Sequence, residues 1–460
     1  MAIDLHLVVE GTVGAWLGHG IKHLAAQADQ HHAKQKTGRQ AKRENDRAAP
    51  ERLGRLGRVK AHPLRRLDHR AKRAEDAERE QFLRRERAGG AGDGEGRARQ
   101  LGDFREKSGR PAQGSHGGGT AEGQREIIES YGITEDFTGA EIRASMETVI
   151  IDETPQGIPV HFDKHASEAD HVIVCGRIKA HTGFVGEIES GLHKMMLIGL
   201  GKHEGAKIYH RAIQDYSWLE IVTAVGQSVL EKCSVVAGLG IVENAFDETA
   251  LIEAVRPGDF LEREKELLVQ AKQWMPRLPF DAVDLLIIDE IGKNVSGSGM
   301  DTNVIGRKFN DHSATDRDGV RVRRIFVRGL TPETHGNACG LGMAEVTNRR
   351  TIAAVDQSAT AINALTGGHP SAAGMPIAFE TDRECLEAIM PTIGLTDPED
   401  ARVVHITNTM QVGETLVSES FTDAIAARDD LEVIESVEAM QFDDGDNLVP
   451  VAAAGAAVHA

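Results

Sequence analysis

The sequence predicts an α/β protein: two α/β lobes with an active site in the cleft between them, preceded by a basic, low-complexity segment that is disordered or mis-translated. Three observations carry this. From about residue 111, short apolar runs such as ETVII (147–151), HVIVC (171–175) and DLLIID (284–289) alternate with stretches of helical period. The second and third of these runs lack the polar alternation of a one-sided sheet and read as parallel strands buried on both faces. Residues 1–110 differ in texture, being rich in Arg, Ala, Gly, Glu, Gln and His, with 25 Lys+Arg against 16 Asp+Glu, whereas the remainder carries 28 against 55.

In chain order, Glu122–Tyr131 reads as an amphipathic helix, 147–151 and 171–175 as strands, and Met195–Leu200 as an apolar run between glycines. Ile213–Glu231 reads as a helix and Ser234–Val242 as a glycine-containing strand. Pro257 interrupts, and Phe260–Trp274 has the spacing of an amphipathic helix. The strand Asp284–Asp289 leads into the polar loop Glu290–Met300, followed by a strand at Arg324–Val327, helical character in the later part of Thr351–Leu365, a helix at Asp382–Ile389 and a strand at Ala401–Ile406. Val451–Ala460 reads as a frayed tail. The expected organisation is a basic segment 1–110, a catalytic lobe 111–272, a second α/β lobe 280–440 and an acidic, Ala-rich tail 441–460.

The formal charge of −18 over 460 residues, concentrated after residue 110, argues against binding nucleic acid by charge. Four widely spaced cysteines, Cys175, Cys233, Cys339 and Cys385, form no CxxC pair and fit a reducing, cytoplasmic setting. No apolar run has the length of a membrane span, and Asp4, His6 and Glu10 spoil a signal peptide.

Chemistry concentrates in Ile178–His210, which holds His181, His193, Lys194, Lys202, His203 and His210 together with Glu187 and Glu189. Imidazoles ligate metals or move protons near neutral pH, and a lysine amine can tether a cofactor. Within it GLGKHEG (199–205) fails both phosphate-loop patterns, because the third glycine comes one residue late and His203, not Ser or Thr, follows Lys202. Upstream, GSHGGG (114–119) sets His116 among residues without bulk, open to close approach by a substrate or simply a flexible loop. The loop 289–307 brings Lys293 and Arg307 to the end of a buried strand, where ligands sit in open α/β sheets; a solvated connection has the same composition. The turns Thr334–Leu341 and Thr407–Thr409 read as structural caps or supports of a site.

The words GSHGGGTAEGQ (114–124), RIKAHTGF (177–184), ESGLHKMMLIGLGKHEGA (189–206) and KNVSGSGMDTNVIGR (293–307) resemble the lactate racemase-like family, the nickel-pincer-nucleotide racemases and epimerases of 2-hydroxyacids. The resemblance implies His116 and His181 as the catalytic pair, Lys194 as the lysine covalently bearing the cofactor, and His210 as the nickel ligand. It further implies a hydroxyacid or sugar-acid substrate and partner enzymes that build the cofactor. Lys179, Lys293 and Arg307 are the cations that would meet the substrate carboxylate. The sequence departs from the family at its start: the expected strand-helix-strand unit before the first histidine is replaced by Arg/Ala-rich sequence, which favours an out-of-frame origin for that segment over a disordered extension. The family mechanism is reversible hydride removal from the hydroxyl-bearing carbon, with a histidine on each face taking or returning the hydroxyl proton. Two other readings stay open: a metal-dependent hydrolase or dehydratase using the histidine cluster, and an inactive relative that binds a small acid.

Overall fold

The structure, a computed structural model, describes residues 4–9, 54–61, 106–111, 120–183, 185–213, 215–307, 320–366 and 370–454. Its strands in chain order are β1 (Asp4–Val9), β2 (Arg55–Ala61), β3 (Glu106–Pro111), β4 (Glu141–Ile142), β5 (Thr148–Glu153), β6 (Pro159–Asp163), β7 (His171–Arg177) and β8 (Val235–Glu243). They continue with β9 (Thr249–Val255), β10 (Ala282–Ile288), β11 (Arg321–Val327), β12 (Val346–Asn348), β13 (Ile377–Phe379), β14 (Val403–Ile406), β15 (Glu414–Ser418) and β16 (Leu431–Ala439). The main helices used below are α1 (Ala121–Ser130), α2 (Lys202–Ala212), α3 (Trp218–Lys232) and α4 (Phe260–Trp274). The α/β class read from the sequence is the class observed.

The described residues fall into two units. The first holds a six-stranded sheet in the order β4-β3-β1-β7-β8-β9. All neighbours in it are parallel except β8 and β9. Val172 and Val174 of β7 are fully buried, as a parallel strand covered on both faces requires. They join a core with Ile221, Val222, Val225 and Val229 of α3 and Phe260, Leu267 and Leu268 of α4. The glycines of β8 are explained by that packing, since a β-carbon on Gly238 would lie 2.6 Å from Leu192 Cδ1 and 2.7 Å from Phe260 Cζ. Helix α3 starts later than its apolar spacing suggests because Ser217 and Glu220 form a reciprocal capping box. The run ETVII belongs to β5, which pairs antiparallel with β6 in a separate two-stranded sheet.

The second unit is built on an eight-stranded sheet, β13-β12-β11-β10-β14-β15-β2-β16. It is parallel from β13 to β14 and antiparallel from there on. The stretches described within 1–110 are all or mostly strand, and each is paired in one of the two sheets: β1 and β3 in the first, β2 in the second. In β2 the buried residues include Leu56, Val59 and Arg58. The Arg58 guanidinium faces Glu435 at 3.1 Å and donates to the carbonyl of Val451 at 2.6 Å. Val451 does not fray. It starts a short helix, is buried, and its backbone N–H donates to Asp289 at 2.8 Å. No described helix is long and apolar enough to cross a membrane.

Candidate functional site

The chain leaves β7 at Arg177, whose guanidinium meets both carboxylate oxygens of Glu243 on β8 at 3.0 and 2.8 Å. Lys179 and Ser190 then pair as an antiparallel bridge, with N–H···O distances of 3.1 and 3.3 Å. That bridge closes residues 180–189 into a loop. Inside it the buried carboxylate of Glu189 accepts from the His181 backbone at 2.7 Å and from the Gly186 backbone at 3.3 Å, and pairs with the Lys272 ammonium of α4. The His181 ring accepts the Gly183 N–H at Nδ1, 2.9 Å away. A ring nitrogen that accepts carries no proton, so the neutral ring bears its proton on Nε2.

Beyond the bridge, a short helix, Leu192–Lys194, passes directly into a π-helical turn, Met195–Gly199. Such turns interrupt the regular ladder and recur at functional sites. Lys194 is half-buried, and its amine lies 3.3 Å from the Ser190 hydroxyl. Glu189 and Ser190 thus hold the backbones of exposed Lys179 and of His181, and Ser190 also meets the amine of Lys194.

Other basic groups of the stretch are sealed away. The His193 ring is buried, with Nδ1 2.7 Å from Glu264 of α4 and its edge toward Phe260. Lys202 is fully buried against the Asp163 carboxylate at 3.3 Å. GLGKHEG is therefore not a phosphate cradle, because its amine faces an anion already. Its Gly201 is required by close approach: a β-carbon there would lie 1.9 Å from the Leu197 carbonyl oxygen. His210 is half-buried in the last turn of α2. His116 lies outside the described residues.

Among the described residues no three His, Cys, Asp or Glu side chains converge as a metal site. The donors present suit a group that brings ligands of its own: a half-buried amine beside a hydroxyl at Lys194, and half-buried imidazoles at His181 and His210.

In the second unit the loop after β10 is held by the turns singled out in the sequence. The Thr334 hydroxyl accepts the Lys293 N–H at 3.1 Å, that of Thr409 accepts the Asp301 N–H at 2.9 Å, and Asn408 donates to Glu290 at 3.2 Å. The Lys293 amine donates to the Gly297 carbonyl at 2.5 Å, and burial pushes its pKa down. Arg307 is engaged by the fold itself. Its two terminal nitrogens reach the carbonyls of Met343, Val322 and Arg323 and the carboxylate of Glu345, all within 2.7–3.0 Å. A substrate carboxylate would have to displace one of these.

Sequence reasoning named the basic groups of this region and missed what arranges them. Neither Ser190 nor Glu264 was given a role from the sequence. The only available signal for Glu264 was its place on the face of α4 shared with Phe260, Leu267, Leu268 and Ala271.

Residues 111–218 match the family model described as the lactate racemase N-terminal domain. No curated protein matches. Similar solved structures include the lactate racemase apoprotein from Thermoanaerobacterium thermosaccharolyticum, 12% identical with a TM-score of 0.39, covering 89% of this chain and 76% of that one. A structural-genomics protein from Thermotoga maritima is 13% identical with a TM-score of 0.37, covering 67% of this chain and 85% of that one.

Proposed function

We propose, from the match of residues 111–218 to the lactate racemase N-terminal domain, that this chain is a lactate racemase-like protein that inverts the hydroxyl-bearing carbon of a 2-hydroxyacid or sugar acid. The observation that supports the reading is that Lys179 and His181, through their backbones, and Lys194, through its amine, are all held on Glu189–Ser190. A carboxylate partner, a proton carrier and a tethering amine are the groups such a reaction needs from the protein.

In this proposal Lys194 would hold a nickel pincer nucleotide, and His210 would be the protein's ligand to its nickel. When bound, that group supplies a reversible hydride acceptor; the protein tethers and orients it. On one face of the substrate His181 would meet the hydroxyl through Nε2; taking the proton there requires the neutral ring to carry its own proton on Nδ1, which means giving up the Gly183 N–H, and His116 would take the same role on the other face. Removal of the hydroxyl proton by a histidine would make hydride easier to withdraw from the same carbon, and the histidine would give the proton back to the oxygen when hydride is returned to that carbon. Lys179 neutralises the substrate carboxylate. Among the second unit's cations we assign the same task to Lys293, whose amine rests on a carbonyl oxygen, ahead of Arg307.

The test is to produce the chain alongside the cofactor-building enzymes, then measure nickel by elemental analysis and the mass of the peptide containing Lys194. Nickel with an adduct on Lys194, both lost in Lys194→Ala, is the expected result. Zinc or iron without an adduct would turn the reading to a hydrolase or dehydratase. His116→Ala and His181→Ala are each expected to abolish racemisation followed by chiral chromatography.

A further inference from the structure

We infer that Lys202 is a positioning residue that locks α1 to α2, and so fixes the helix carrying His210 against the helix that follows His116 in the chain. The inference rests on the racemase reading for its consequence, and on the geometry alone for the lock itself.

Lys202 is a costly residue at its position. Its φ of 53° lies in the left-handed region, which residues with a β-carbon seldom adopt. Its side chain is 0% exposed, and a buried ammonium persists only when paired. The partners come from two other elements. Asp163 ends β6 and receives the amine at Oδ2, 3.3 Å away, while its Oδ1 caps the next helical turn by accepting the Ala166 N–H at 2.8 Å. Gln124 of α1, also fully buried, accepts from the amine at Oε1 over 3.5 Å. One ammonium, in an ion pair with Asp163 and a hydrogen bond to Gln124, thus joins α1, β6 and the first turn of α2.

Both joined helices lead to chemistry. Gln124 follows His116 by eight residues in the chain, and α1 begins at Ala121 with Thr120 as its cap. His210 follows Lys202 by eight residues, about two turns along the same helix. The face of α2 that carries Lys202 also buries Gly205, Ala206 and Tyr209, so a shift at Lys202 would be passed along a packed surface to the turn holding His210.

The full chain decides this by amide hydrogen exchange on the apoprotein and kinetics on the loaded enzyme. Gln124→Met keeps the volume, leaves the Lys202–Asp163 pair intact and removes the acceptor together with the amide's donors; Gln124→Glu restores the acceptor without the donors, so only what it reverses belongs to the Lys202 contact. Gln124→Met is expected to speed exchange about tenfold in α1 and in the first turn of α2 while leaving α3 unchanged, and Gln124→Glu to reverse most of this. In the loaded enzyme Gln124→Met should lower kcat about tenfold with little change in KM. Unchanged exchange in the first turn of α2 would overturn the lock. Faster exchange with unchanged kcat would overturn the positioning role. If the unsubstituted chain carries neither nickel nor an adduct, the racemase reading falls, and the exchange measurement still decides whether Lys202 ties the helices.

Discussion

Glu264 receives His193 twice through one oxygen: the ring at Nδ1 from 2.7 Å and the backbone N–H from 3.1 Å. The pair is buried between α4 and the short helix that carries Lys194. Glu264→Leu would strand two buried donors, at a cost of roughly 1–3 kcal/mol for each unpaired group. We expect a stability loss of about 2–4 kcal/mol, read from urea unfolding followed by tryptophan fluorescence. A variant as stable as the parent would show that the pair holds nothing.

Lys194 and Lys202 should separate cleanly in the same assay. Lys194 is half-buried with a hydroxyl neighbour, and Lys194→Met should shift stability by less than about 1 kcal/mol while removing the adduct. Lys202→Met leaves Asp163 buried without its cation, for which about 3–5 kcal/mol is the usual loss. Equal losses in the two variants would contradict the distinction between a tethering and a positioning lysine.

Lys293 should give a pH signature. Burial lowers its pKa, opposed by the nearby Cys339 thiol, so the amine loses its charge at a lower pH than an ordinary lysine. If it binds the substrate carboxylate, KM should rise as the solution becomes alkaline, below the pH at which free lysines titrate. Lys293→Arg should hold KM flat over that range, and Lys293→Met should raise KM roughly 10- to 100-fold at neutral pH. A pH-independent KM in the parent enzyme would remove Lys293 from the site.

Asp289 should make the second unit acid-sensitive. Burial alone would raise its pKa, but the His405 ring and the Arg328 guanidinium beside it outweigh that and hold it below the ordinary value. A depressed carboxyl pKa stabilises fully above the unfolded value, about 3.9, and the contribution disappears as pH falls through the folded value. Asp284, held down by Arg402 against its own burial, acts in the same sense. Stability should therefore fall below about pH 4, and Asp289→Asn should be weaker at neutral pH with a shallower acid slope. Parallel pH profiles for the two proteins would rule this out.

Elements whose burial is written in local apolar content were legible. Helix α4 has the bounds its spacing predicts, and β10 lies under the run DLLIID. Strand β9 was missed because it carries no such run: it sits at the sheet edge, with Ile252 exposed. Strand β2 was missed for a different reason. Arg58 looks like one more surface cation in a basic stretch, and its burial is decided by Glu414, Glu435 and Val451, more than three hundred residues away. The site shows the same division. The spacing of His181, Lys194 and His210 was readable, whereas the exclusion of His193 and Lys202 depends on Glu264 and Asp163, which come from other elements.

The placement of β2 also sets a timetable for folding. The strand is synthesised early, yet both of its neighbours lie in the last fifty residues: Leu56 pairs with Ser418 on one side and Ala61 with Leu431 on the other. On the ribosome it must wait with both edges unsatisfied while nearly the whole chain is made, and contacts of such sequence separation form slowly. The chain on either side of it, β1 and β3, belongs to the other sheet. A fragment ending before Glu414 would keep β2 with neither partner, so the first unit is not obtainable by trimming the C-terminus without leaving an adhesive edge behind.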